Sequence, residues 1–179
     1  MQRGTWLAFG LALGCGVGRL VAAPVVVDQW DGFVPAPEMK APSGAVAQRW
    51  PTPAETTSVQ AKGVPTDLSA VRSIRFWMHV AEPKDSVLTV VFSSENQGTK
   101  GSDYYSLVLK TNFTGWREIL LSRDELGTTR APAGWDQVSR VFFSSNWAHR
   151  LDPETVVHIA GFTLSEEVLP QEEMPPGEL

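Results

Sequence analysis

The stretch Asp103–Ser122, DYYSLVLKTNFTGWREILLS, decides the class of the fold. Tyr105, Leu107 and Leu109 fall on one side of an extended chain, and Tyr104, Ser106, Val108 and Lys110 on the other. The polar run Thr111-Asn112-Phe113-Thr114-Gly115 then reverses the chain, and Trp116–Ser122 reads as a second strand. Period two, aromatic and β-branched side chains and a glycine at the reversal predict a hairpin in a sheet with one covered face.

Upstream, Val71–Val80 alternates in the same way, with Ile74, Phe76, Met78 and Val80 opposed to Ser73, Arg75, Trp77 and His79. Val87–Ser93 is apolar on both sides, as a central strand covered above and below would be. Val25–Trp30, Gly44–Trp50 and Thr57–Lys62 are further β-type segments. Between them Phe33–Ser43 carries Pro35, Pro37 and Pro42, and no regular element is expected there. Downstream, Arg123–Leu126 is one helical turn and Gly127–Gly134 a loop. Val138–Ser145 and Val156–Leu164 are strands flanking a loop that holds Trp147 and His149. Eight or nine strands without an amphipathic helix predict an all-β fold, a two-sheet antiparallel β-sandwich of jelly-roll type, with a closed barrel as the lesser option. The expected core is Ile74, Phe76, Leu88, Phe92, Leu107, Leu109, Ile119, Leu121, Val141 and Phe143.

The ends are of a different character. Residues 1–23 join a basic start, an apolar run and small residues before Pro24, which predicts a signal peptide cleaved after Ala23 or Ala22 and a secreted or periplasmic protein. Cys15, the one cysteine, lies inside that segment in a poor lipoprotein box, so a lipid anchor is not expected, nor any membrane attachment after cleavage. Residues 24–165 form the sandwich domain, and 166–179 an acidic, proline-rich tail or linker. Removing Arg3 and Arg19 with the leader leaves 13 Lys and Arg against 20 Asp and Glu, a formal charge of −7. Such a chain has no basic stripe for nucleic acid.

No HExxH, GxSxG or phosphate-loop spacing is present. His79 and His158 lie in expected strands, where a hydrogen-bonded structural histidine is the ordinary reading. Six tryptophans remain after processing, besides Tyr104 and Tyr105. Aromatic rings stack on the C–H faces of sugars while polar neighbours bond the hydroxyls, so Arg75, Trp77 and His79 at alternate positions suit a carbohydrate. Trp147, in a Ser-Asn-Trp loop, is a further candidate, whereas Trp116 reads as a core plug. No cofactor is expected. A structural calcium would need several oxygen ligands, for which Asp28 and Asp31 are weak candidates.

The residues Asp67-Leu68-Ser69, Ile74-Arg75-Phe76-Trp77, Ser102-Asp103-Tyr104-Tyr105, Phe113-Thr114-Gly115-Trp116, Pro132-x-Gly134-Trp135 and Trp147 with Asp152-Pro153-Glu154-Thr155 resemble a family. It is the galactose-binding-like, carbohydrate-binding-module-type jelly roll found beside bacterial polysaccharide lyases and other glycan-degrading enzymes. The resemblance covers Val25–Leu164. It implies a non-catalytic module that binds a polysaccharide or oligosaccharide through Arg75, Trp77, His79, Tyr104, Tyr105 and Trp147. It also implies that a glycan-degrading catalytic domain is a partner, the present chain being free-standing or part of something longer. Where such domains close with paired aspartates that serve a calcium ion, His158–Phe162 carries no acid. Two other readings stand beside this one: a structural domain that packs on a lyase-type catalytic domain without touching glycan, and a β-sandwich lyase or hydrolase using Tyr104, Tyr105, Arg75 and His79.

Overall fold

The computed structural model describes residues 23–51, 56–147 and 151–169. The expected leader with Cys15 (all but Ala23), His149 and the tail from residue 170 lie outside the described residues. Among those described there are twelve strands and one 3-10 turn, Arg123–Glu125. The first sheet runs β3 (Val34–Lys40), β4 (Val46–Arg49), β12 (Val157–Ser165), β6 (Ser73–Val80) and β9 (Gly115–Ser122), with β1 (Val25–Val27) also paired to β12. The second runs β10 (Gly127–Thr129), β8 (Tyr104–Lys110), β7 (Val87–Ser93), β11 (Arg140–Ser144), β5 (Ser58–Ala61) and β2 (Trp30–Asp31). The recorded pairings are all antiparallel, and the fold is the expected two-sheet β-sandwich. The strands beyond the expected eight or nine come from short pieces such as β2 and β10, of two and three residues, too brief to show a period.

Two local expectations need correction. β8 and β9 are both strands, but they do not form a hairpin: β8 pairs with β7 and β10 in the second sheet, β9 with β6 in the first. The link between them crosses the sandwich. Phe113 in that link is buried in the core, and the buried Thr111 hydrogen-bonds the carbonyls of Lys84 and Ser86 through its hydroxyl. A tight hairpin would leave Phe113 in water; an arch buries it. The second correction is β3, which forms across Pro35 and Pro37. It lies at the edge of its sheet and pairs only with β4, with a register shift between Ala36 and Lys40. A proline lacks the N–H that an inner strand would need, and an edge strand makes no such demand on its outer side.

The core between the sheets contains every expected residue: eight are buried, and Leu107 and Ile119 pack against them half-buried. Along one side β12 meets β6 at Val157–Ala160 and again at Thr163–Ser165. Along the other it meets β4 at His158 and Ile159, and β1 at Phe162–Leu164. The two partners are separated by a bulge where Gly161 adopts φ 61°, a left-handed conformation that side chains resist.

Candidate functional site: two outward aromatic faces

Alternation along β6 sends Ile74, Phe76, Met78 and Val80 inward and Arg75, Trp77 and His79 outward. Directly opposed residues of an antiparallel pair share a face. The register therefore places Trp116, Glu118 and Leu120 of β9 beside His79, Trp77 and Arg75. On the other side stand His158, Ala160 and Thr163 of β12, and beyond them Arg49 of β4 and Val34 of β3. One transect of the first sheet thus reads Val34, Arg49, His158, His79, Trp116.

The rings in this row touch. His79 and Trp116 meet edge-on with centroids 5.2 Å apart, and His79 and His158 at 5.6 Å. Arg75 pairs with Glu118 at 3.7 Å. Trp77 and Trp116, both half-buried, lean on a cluster of small residues that includes Ala36, Ala47 and Ala160. The alanines are themselves buried, so the two rings lie over them as the outer layer of this face.

Both imidazoles are held below the ordinary 6.5. For His79 the cause is burial; for His158 it is burial first, then the charges of His79 and Arg49, with Glu38 opposing. Each Nδ1 is buried without a hydrogen-bond partner, so the expectation of hydrogen-bonded structural histidines fails at that atom. A histidine whose folded value is depressed takes up its proton more readily in the unfolded chain. Stability is therefore at its full value above about pH 6.5 and falls as pH drops below it. We expect the urea midpoint to decline from pH 7 to pH 5, and His158→Gln to flatten that slope.

The second sheet presents a different face. Tyr104 on β8, Ser93 on β7 and Arg140 on β11 stand in one register row, and Ser106, Val91 and Phe142 in the next. Trp147 folds back over this surface, its ring 4.8 Å from Tyr104 at 48° and 5.2 Å from Phe142. Its backbone is fixed: its carbonyl accepts from the Thr89 hydroxyl at 3.3 Å, and its N–H donates to Ser144 Oγ at 3.3 Å. The Arg140 guanidinium lies 5.5 Å from the Phe142 ring centre.

The six residues expected at one site are thus distributed over three places. Arg75, Trp77 and His79 lie on the outer face of the first sheet, and Tyr104 and Trp147 on the outer face of the second. Tyr105 faces inward, stacked on Trp135 with centroids 4.5 Å apart, and burial raises its pKa. Trp116 joins the first face instead of plugging the core, and its place was signalled in the chain: Ile119 and Leu121 point inward, so Trp116 and Glu118 point out. Phe142, Arg140 and the alanine row were also missed, because each gains its role from a strand that is distant in sequence.

A cavity of about 520 Å³ opens where β1 and β4 part on β12. Trp30, Phe33 and Phe162 are among the core residues that line it, with Asp28, Gln48 and Lys62 among its polar ones. Gln48 Nε2 donates to the Asp28 carbonyl at 2.6 Å, and Asp31 is held by Lys62 at 2.6 Å. Among the described residues no three His, Cys, Asp or Glu side chains converge to hold a metal ion.

No family model and no curated protein matches the sequence. In structure the chain is similar to the family 11 carbohydrate-binding module of a cellulosomal cellulase of Clostridium thermocellum. That match has 11% identity, covers 93% of this chain and 100% of that one, and has a TM-score of 0.52. It is also similar to a family 30 carbohydrate-binding module at 13% identity, covering 87% of this chain and 89% of that one, with a TM-score of 0.55. The fold is that of the carbohydrate-binding-module β-sandwiches.

Proposed function

We propose that the chain is an exported carbohydrate-binding module that does no chemistry itself and receives a polysaccharide on the outer face of its first sheet. The observation that carries this reading is the row of touching rings His158, His79 and Trp116, with Trp77 beside it over the buried alanines. Arg75 and Glu118 add charged partners for hydroxyls. The fold likeness to two carbohydrate-binding modules supports the same reading. A lyase or hydrolase would need Tyr104, Tyr105, Arg75 and His79 to converge in one cleft, and these residues face three different ways.

One observation favours a catalytic domain as partner. Val26, Val34 and Val46, on β1, β3 and β4 of the first sheet, are 61%, 41% and 52% exposed. They offer apolar surface against which such a domain could pack, and the family 11 module belongs to a cellulase.

Affinity electrophoresis of the mature protein through gels containing neutral or acidic polysaccharide tests the site. Trp77→Ala and Trp116→Ala should each weaken retardation about ten- to hundredfold, the scale of a buried aromatic anchor. Retardation that survives both changes and disappears in Gln48→Ala would place the site in the cavity between β1 and β4 instead. Release of sugar products by the purified chain would refute the non-catalytic reading.

A further inference from the structure

We infer that the module is bivalent, with Tyr104, Trp147 and Arg140 forming a second glycan-binding surface on the face opposite the first. This rests on the carbohydrate reading above and extends it. Packed sheets lie about 10 Å apart, and the two sets of side chains point away from each other across that thickness. A chain lying along the first sheet cannot also lie along the second, so the two surfaces would engage two separate chains.

The simpler reading is that Trp147 only covers Phe142. Three features go beyond a cover. The ring of Trp147 reaches across β7 to a second ring, Tyr104, giving a pair of half-exposed aromatic groups side by side. Its backbone is pinned by Thr89 and Ser144, so the pair is oriented before any ligand arrives, which lowers the ordering cost of binding. Polar and charged groups border it: Ser106 and Thr129 at half-exposed positions, and Arg140, exposed. That combination, an apolar platform with hydroxyls and a cation at its rim, is what a sugar ring requires. The expected ligand is a second strand of the same polysaccharide that occupies the first face.

Two binding surfaces on one rigid body make a cross-linker, and that gives a readout beyond affinity. Soluble mixed-linkage β-1,3-1,4-glucan, cellulose oligomers and polygalacturonate serve as probes, with the full processed chain. Wild type should raise the light scattering of the polysaccharide it binds, and should take up two short oligosaccharides of that type per chain. Trp77→Ala and Trp147→Ala should each bind one and lose the scattering signal. The double variant should not bind. Because Trp147→Ala uncovers Phe142, Arg140→Ser provides an independent test that leaves the Trp147 cover in place; it removes only weak contacts with Phe142 and Ser93, and should weaken cross-linking with at most a small fall in the thermal midpoint. One oligosaccharide per wild-type chain, or cross-linking unchanged in both Trp147→Ala and Arg140→Ser, overturns bivalency and leaves the first surface standing. Failure of wild type to bind any probe overturns both readings together.

Discussion

Phe143→Ala is expected to lower the free energy of unfolding by about 3–5 kcal/mol, among the largest losses a single change in this chain can cause. Phe143 is fully buried and has ring neighbours on all sides: Trp30 and Phe76 at 5.4 Å, Phe162 at 5.8 Å and Phe33 at 6.4 Å. Phe76 and Phe162 belong to the first sheet, and Phe143 and Trp30 to the second, so this cluster is where the sheets hold each other. Truncation removes the transfer free energy of the ring and leaves a void that large, stiff neighbours cannot refill. Cysteine is absent from the described residues, so no cross-link offsets the loss. Denaturant melts of wild type and variant measure it; a change below about 1 kcal/mol would mean that the cluster collapses around the gap.

Trp50→Ala should be of similar size and for two separable reasons. The ring is 1% exposed and meets Phe33 edge-on at 5.9 Å, so its removal opens a cavity. In addition, the indole Nε1–H donates to the Thr56 carbonyl at 2.7 Å, a contact that secures the chain as it enters β5. Trp50→Phe keeps most of the packing and removes the donor. It should cost about 1–3 kcal/mol, against about 3–5 kcal/mol for alanine. Equal losses in the two variants would show that the hydrogen bond dominates.

A smaller network at the other end of the sandwich is sensitive to acid. Asp103 is buried and accepts from the Thr99 hydroxyl, from the Ala131 N–H at 3.0 Å and from the Asn96 N–H at 3.3 Å. Those bonds, the Thr99 hydroxyl first, hold its carboxyl below the ordinary 3.8. A depressed carboxylate stabilises the fold above its unfolded value and ceases to do so as pH falls through the folded one, so this contribution is present above about pH 4 and lost below it. Asp103→Asn should lower the thermal midpoint at pH 7 and make stability less dependent on pH between 2 and 4, which a series of melts would show.

Alternation made most strands legible. In β6 and β9 the period of two is carried by large apolar residues facing a common core, so the faces of Arg75, Trp77 and His79 could be assigned from the chain alone. What alternation cannot carry is partnership. Nothing local distinguishes a turn that folds β9 back onto β8 from an arch that sends it to the opposite sheet; burial of Phe113 settles it, and that burial exists only once both sheets are present. The candidate site suffered from the same gap. Tyr104 and Trp77 have equally good credentials in sequence, yet the crossover places them on opposite sides of the molecule. Trp116 was misplaced because the glycine before it suggested a turn plug, although the strand it opens gives its direction. Pro35 and Pro37 misled in the other sense, since a proline-rich run excludes an inner strand but not an outer one.

That outer strand has a consequence for life at high concentration. An unpaired sheet border is where identical molecules begin to stack into fibrils, each offering N–H groups to the next. Along β3 two of those groups are missing, and the register shift before Lys40 bends the remainder out of line. The opposite border, β9, has no proline, and relies on the charges of Arg117 and Glu118. If this protein ever polymerises, growth should start there, and neutralising those two side chains should hasten it.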